Sequence, residues 1–104
     1  MKKARPGFDA QEDVERAVSY YAQQSLRVAQ LFIEEYKSTV SAIEQMPGAG
    51  SLRFAHELDI PNLRTYSLQS FPYLIFYIER MSYIDVINVL HSSRDIYNLP
   101  LGIE

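Results

Sequence analysis

The chain of 104 residues contains no cysteine and no tryptophan, two histidines, four glycines and no long apolar run. The missing cysteine excludes a disulfide scaffold and a thiolate-bound metal, and it fits a reducing cytoplasm. His56 and His91 stand far apart in the chain, so no metal site is expected. The longest apolar stretch, Leu74 to Ile78, is far too short to cross a bilayer. Met1-Lys2-Lys3 opens like a signal peptide, but Pro6, Gly7 and Asp9 stand where its apolar segment belongs. Gly48-Ala49-Gly50 lacks the third glycine and the Lys-Ser/Thr pair of a phosphate loop. There is no Gly-x-Ser-x-Gly nucleophile elbow. Glu34 and Glu35 point about 100° apart on a helix, which reads as a solvated face rather than an acid pair. No cofactor is implied by any of these patterns.

A basic excess is also lacking. Ten Lys plus Arg against thirteen Asp plus Glu leave a net charge of −3. From Gly50 onward the cations are Arg53, Arg64, Arg80 and Arg94, with no lysine, and Glu57, Asp59, Glu79, Asp85, Asp95 and Glu104 outnumber them. Phosphate-directed binding needs cations to displace counterions, so broad contact with nucleic acid is disfavoured. What is abundant is core material: 47% of residues are hydrophobic, with eight tyrosines and five phenylalanines. At this length a chain buries roughly two-thirds of its unfolded surface, enough for one self-sufficient domain spanning residues 1–104.

The first half has helical period. Asp9 followed by Glu12 has the spacing of a capping box. Val14, Ala17, Val18 and Tyr21 recur on one face, with Asp13, Glu15 and Arg16 between them. A second stripe runs Ala29, Phe32, Ile33, Tyr36, Val40 and Ile43 behind a cap at Ser25, and Pro47, Gly48 and Gly50 end it. The short Gln23-Gln24 junction makes the two helices an antiparallel hairpin. The second half changes to strand character at Leu63 to Gln69, Tyr73 to Glu79 and Tyr83 to His91, with connections short enough for an antiparallel meander. Lys2 to Phe8 adds an edge strand, where Pro6 is tolerated. The expected class is α+β: an N-terminal helical hairpin packed on one face of a small twisted antiparallel sheet.

Candidate site residues lie in or beside the strands: Arg64, Tyr66, Tyr77, His91 and Arg94. Arginines here would bind phosphate or an acidic partner, and tyrosines would anchor an interface. The alternative is that Arg94 and Asp95 tie down the end of the last strand while the tyrosines fill the rim of the core.

The order of these motifs resembles the ParE/RelE toxin superfamily. Ala10-x-x-Asp13-Val14 with Ala17 and Tyr20 is similar to its first helix. Ala29 with Phe32-Ile33, Ile43 and Pro47-x-x-Gly50 is similar to its second helix and the loop that closes it. Glu57-Leu58, Leu63-Arg64, Tyr73-Leu74-Ile75-Phe76-Tyr77 and Val86 through Asp95, ending in His-x-x-Arg-Asp, follow its strands in order. The amino terminus, with Pro6-Gly7, departs from the family's first strand. The resemblance spans roughly residues 10 to 99, and it implies a toxin neutralised by a cognate, ParD-like antitoxin.

Within that superfamily, RelE-like members cut messenger RNA on the ribosome and resemble this chain less. The position aligned with a central-strand arginine is Leu74, the lysine cluster shrinks to Arg53, and Pro100 stands where a late tyrosine belongs. A shift in that alignment would bring Tyr97 there instead. Arg94 alone is retained. ParE-like members, understood to poison DNA gyrase by binding rather than by catalysis, resemble it better. The resemblance therefore implies a non-enzymatic toxin that contacts gyrase through Arg64, Arg94, Asp95, Ile96, Tyr97 and Leu99. Antitoxin capture is expected on apolar hairpin surface around Tyr21, Phe32 and Tyr36, with toxin and antitoxin forming a hetero-oligomer. A ribosome-dependent endonuclease and an inactive toxin that only binds antitoxin are the alternatives.

Overall fold

In a computed structural model, residues 1–103 are described. Strand β1 (Lys3–Pro6) leads into helix α1 (Phe8–Gln24) and helix α2 (Leu26–Gln45). A 3-10 turn over Pro47–Ala49 and a short helix α3 (Arg53–Glu57) precede the strands β2 (Arg64–Ser67), β3 (Tyr73–Glu79) and β4 (Tyr83–His91). A second 3-10 turn, Ile96–Asn98, opens the carboxy-terminal tail. The sheet order is β1-β4-β3-β2.

The helical hairpin forms as its periodicity predicts. Ser25 is the single residue between the helices, and its Oγ accepts from the Val28 amide at 3.3 Å. The capping box at Asp9 and Glu12 does not form. Helix α1 starts at Phe8, behind Gly7, because the Gly7 amide is already spent on the Val86 carbonyl at the end of β1. Asp9 lies instead inside the first turn, where its charge favours the helix N-terminus.

Strands β2, β3 and β4 form the expected antiparallel meander, and β3 and β4 have the predicted limits. Strand β1 is an edge strand as expected, but it runs parallel to β4. The chain returns through β2 and β3 before β4, which arrives in the direction of β1. Pro6 closes β1 opposite Val86, so the missing amide costs no interior ladder bond. The outer edge of β1 is covered: the Ala4 amide donates to the Glu44 carboxylate of α2 at 2.8 Å.

Alternation divides the core into two clusters. Ile75, Tyr77, Ile84, Val86 and Val89 face the hairpin and meet Ala10, Ala17, Phe32 and Ile43. Phe76, Ile78, Ile87 and Leu90 face the other way, against Phe54, Leu63, Ile96 and the tail residues Leu99, Leu101 and Ile103. The register slips in mid-sheet. Tyr77 opposes Val86 whereas Phe76 opposes Asn88, so Ile87 is the extra residue of a bulge. That bulge sets the buried Asn88, which links helix to tail. Its Nδ2 donates to Asp13 at 2.9 Å, and its Oδ1 accepts from the Gly102 amide at 2.9 Å.

Asp13, placed by sequence pattern on the polar face of α1, is buried. Strand β1 stops opposite Val86, leaving the rest of β4 without a neighbour on that side. The Asp13 carboxylate fills the gap by accepting from the Val89 amide at 2.9 Å, while Arg16 donates to its other oxygen at 2.6 Å. A side chain thus replaces a missing strand, as a buried amide requires.

Candidate functional site

A groove of about 450 Å³ opens on the sheet face opposite the hairpin. Its floor is Thr65 and Ser67 of β2 with Leu74 of β3. Arg53 and Phe54 of α3 form one wall, and Ser92, Arg94 and Tyr97 form the other. Helix α3, which sequence periodicity missed because it is one turn long, is held by Phe54 packing on Phe76 at 5.5 Å between ring centroids.

The two walls are tied together. The Tyr97 hydroxyl donates to the Glu57 carboxylate, and Arg53 Nε donates to the other oxygen of Glu57 at 3.3 Å. The hydrogen bond from Tyr97, joined by the Arg53 charge, holds the Glu57 carboxyl below its ordinary range. The same contact pushes the Tyr97 phenol above its ordinary value. Tyr97 is therefore a weaker acid than a free tyrosine, and the Glu57 carboxylate offsets the Arg53 charge.

Of the predicted target-facing residues, Arg94, Ile96 and Tyr97 line this groove, whereas Arg64, Asp95 and Leu99 do not. Arg94 is exposed, and its side chain forms no ion pair among the described residues; only its amide is engaged, to the His91 carbonyl at 3.0 Å. Asp95 does not pair with it. It accepts instead from Asn98 Nδ2 at 2.6 Å, fixing the turn that presents Tyr97. Ile96 is buried against the sheet and contributes to the groove only from its base. Leu99 is half-buried in the same cluster. Arg64 is a structural brace: its Nη1 donates to the Gly50 carbonyl at 2.8 Å and the Gly48 carbonyl at 3.1 Å.

Tyr77 belongs to that brace rather than to an interface. Fully buried, it donates to the Pro47 carbonyl at 2.7 Å and accepts from the Gly50 amide at 3.0 Å. Burial pushes its phenol above the usual tyrosine value. Tyr66 is half-buried at the margin of the hairpin-side core. His91 stacks edge-on against Tyr73 at 5.2 Å and meets the Ser93 amide and hydroxyl through Nδ1 at 3.1 and 2.8 Å.

Of the residues expected at the antitoxin surface, Phe32 alone is placed out of reach. Phe32 is completely buried, and its ring meets Tyr21, Phe71 and Tyr73 in an aromatic cluster between hairpin and sheet. Tyr21 and Tyr36 are half-buried beside it. An apolar stripe at helical spacing is first of all core, and only its margins reach solvent. The exposed apolar residues of the hairpin are Phe8, Tyr20, Leu26 and Leu31, off that stripe. Among the described residues there is no cluster of side chains able to hold a metal, and no helix is long and apolar enough to cross a membrane.

The fold and groove define a class: a small α+β domain with a helical hairpin on one face of its sheet and an open, arginine-edged groove on the other. A sequence model of the family described as "ParE toxin of type II toxin-antitoxin system, parDE" matches residues 9–96. The chain belongs to this ParE toxin family, and membership implies an antitoxin partner. Among solved structures it is similar to a chain of the chromosomal ParDE toxin–antitoxin system from P. aeruginosa, with a TM-score of 0.74 and 17% identity. The similarity covers 88% of this chain and 96% of that one, which shows a shared fold. No curated protein sequence matches the chain.

Proposed function

We propose that the protein is a toxin that inhibits DNA gyrase by protein–protein contact and is neutralised by a cognate antitoxin. The observation that carries this reading is the exposed Arg94 at the rim of a groove whose central side chain is Leu74. Such a surface suits an acidic, partly apolar protein patch. Catalysis of RNA cleavage would instead call for free groups that move protons and stabilise developing charge. The groove's tyrosine is tied to Glu57 rather than free, which supports binding over chemistry.

The ribosome-dependent endonuclease is the second reading, favoured by one feature. Arg53, Arg94 and Tyr97 line the same groove, although sequence alignment set Pro100 at the tyrosine position. Titrating purified protein into a gyrase supercoiling reaction tests the first reading. Block at near-stoichiometric protein, weakened by Arg94→Ala, is expected. Uninhibited supercoiling at large excess would remove gyrase as the target.

A further inference from the structure

A second hollow opens on the far side of Arg94. Where β1 ends opposite Val86, a cleft of about 200 Å³ remains between helix α1 and the open half of β4. Arg16 and Tyr20 of α1 line one side, and Tyr73, His91 and Arg94 line the other. The cleft has a positive balance. Its single lining carboxylate, Asp13, is consumed by the Val89 amide, Asn88 and Arg16. Arg16 uses one Nη for that contact and otherwise stands exposed, with further donors free in a guanidinium. Arg94 has no ion-pair partner among the described residues. Tyr20 is 56% exposed at the mouth, with its ring edge-on to Tyr21 at 5.2 Å. A contiguous hollow extends past Leu90 and Leu99 to Asp9. Glu12 and Glu15 line the adjoining surface of α1 beside Arg16 and Tyr20, so the positive region is confined to the cleft between Arg16 and Arg94.

We propose that this cleft docks an acidic segment of a partner protein. A carboxylate sits between the Arg16 and Arg94 guanidiniums, and a neighbouring apolar side chain lies on the rings of Tyr20 and Tyr73. Two cations against one spent carboxylate select a negative ligand, and the aromatic walls select a peptide that carries an apolar residue beside its charge. The inference rests on the reading of the chain as acting through protein contacts, but it concerns a cleft that shares only Arg94 with the Leu74 groove.

The test is an NMR titration of isotope-labelled protein with the peptide acetyl-Glu-Leu-Glu-Phe-amide, run beside acetyl-Gln-Leu-Gln-Phe-amide and a uridine trinucleotide. Saturable shifts at Tyr20, Val89, Leu90 and Arg94 are expected with the acidic peptide. Binding should be about fivefold weaker for the glutamine peptide and for Arg94→Gln, the scale of one exposed ion pair. Tyr20→Ala should weaken it similarly, whereas Arg53→Ala, confined to the groove, should not. Equal binding of the two peptides, or shifts confined elsewhere, would overturn the proposal. Tighter binding of the trinucleotide at the same residues would overturn it in favour of a phosphate ligand. Peptide binding without gyrase inhibition would refute the gyrase reading alone, and gyrase inhibition without peptide binding would refute the cleft alone.

Discussion

Asp13 is the residue whose role depends most on its surroundings. Its spacing on α1 matches a solvated position, yet it is buried because β4 outruns its parallel neighbour. Removing it leaves the Val89 amide and the Asn88 side chain without an acceptor inside the protein. Asp13→Ala should therefore lower unfolding free energy by about 3 kcal/mol, measured by urea denaturation, whereas an exposed carboxylate such as Glu15 would shift it negligibly. Gly50 is constrained for a different reason. Its φ of −68° is open to any residue, but a Cβ would overlap the Tyr77 hydroxyl and touch the Arg64 Cβ. Gly50→Ala should cost about 1–3 kcal/mol in the same assay. The Glu57–Tyr97 link sets a pH window. Glu57 is depressed, so its contribution is present above the ordinary carboxylate value of 4.5 and is lost as pH falls through its lower folded pKa. Tyr97 is raised, so its contribution is present below 10.0 and is lost as pH climbs through its higher folded pKa. A carbon-detected NMR titration should find Tyr97 above an ordinary tyrosine, and Glu57→Gln should move it down.

At the scale of elements, what could be read from sequence followed from local pattern. The hairpin, its Ser25 cap and the limits of β3 and β4 all express periodicities contained within each segment. What escaped depends on long-range geometry. The direction of β1 is set by the crossover that precedes β4, and α3 is too short to show a period. The bulge at Ile87 is visible only once Phe76 and Asn88 are opposed. Asn88 amid Ile, Val and Leu was the one local sign that a buried polar partner existed, and nothing local pointed to Asp13. The candidate site was legible to the same limited degree. Arg94 stands free, but Ile96 and Phe32 are core, since apolar residues at regular spacing announce burial before they announce contact. One element carries a direct test: Glu44 of α2 caps the free edge of β1 through the Ala4 amide. Glu44→Ala should accelerate hydrogen exchange at Ala4 while leaving β3 amides protected.

The whole molecule presents two faces of unequal finish. Between hairpin and sheet the aromatic cluster of Tyr21, Phe32, Phe71 and Tyr73 is closed, whereas the opposite face keeps a groove between α3 and the turn at Ile96–Asn98. Family membership makes this a toxin with an antitoxin partner. The most direct measurement uses one preparation of the protein in two reactions: gyrase supercoiling, and a translating extract scored for messenger RNA cleavage. The expected result is blocked supercoiling, dependent on Arg94, with intact RNA. Cleaved RNA with untouched supercoiling would contradict the account and identify Arg53, Arg94 and Tyr97 as the working set of a nuclease.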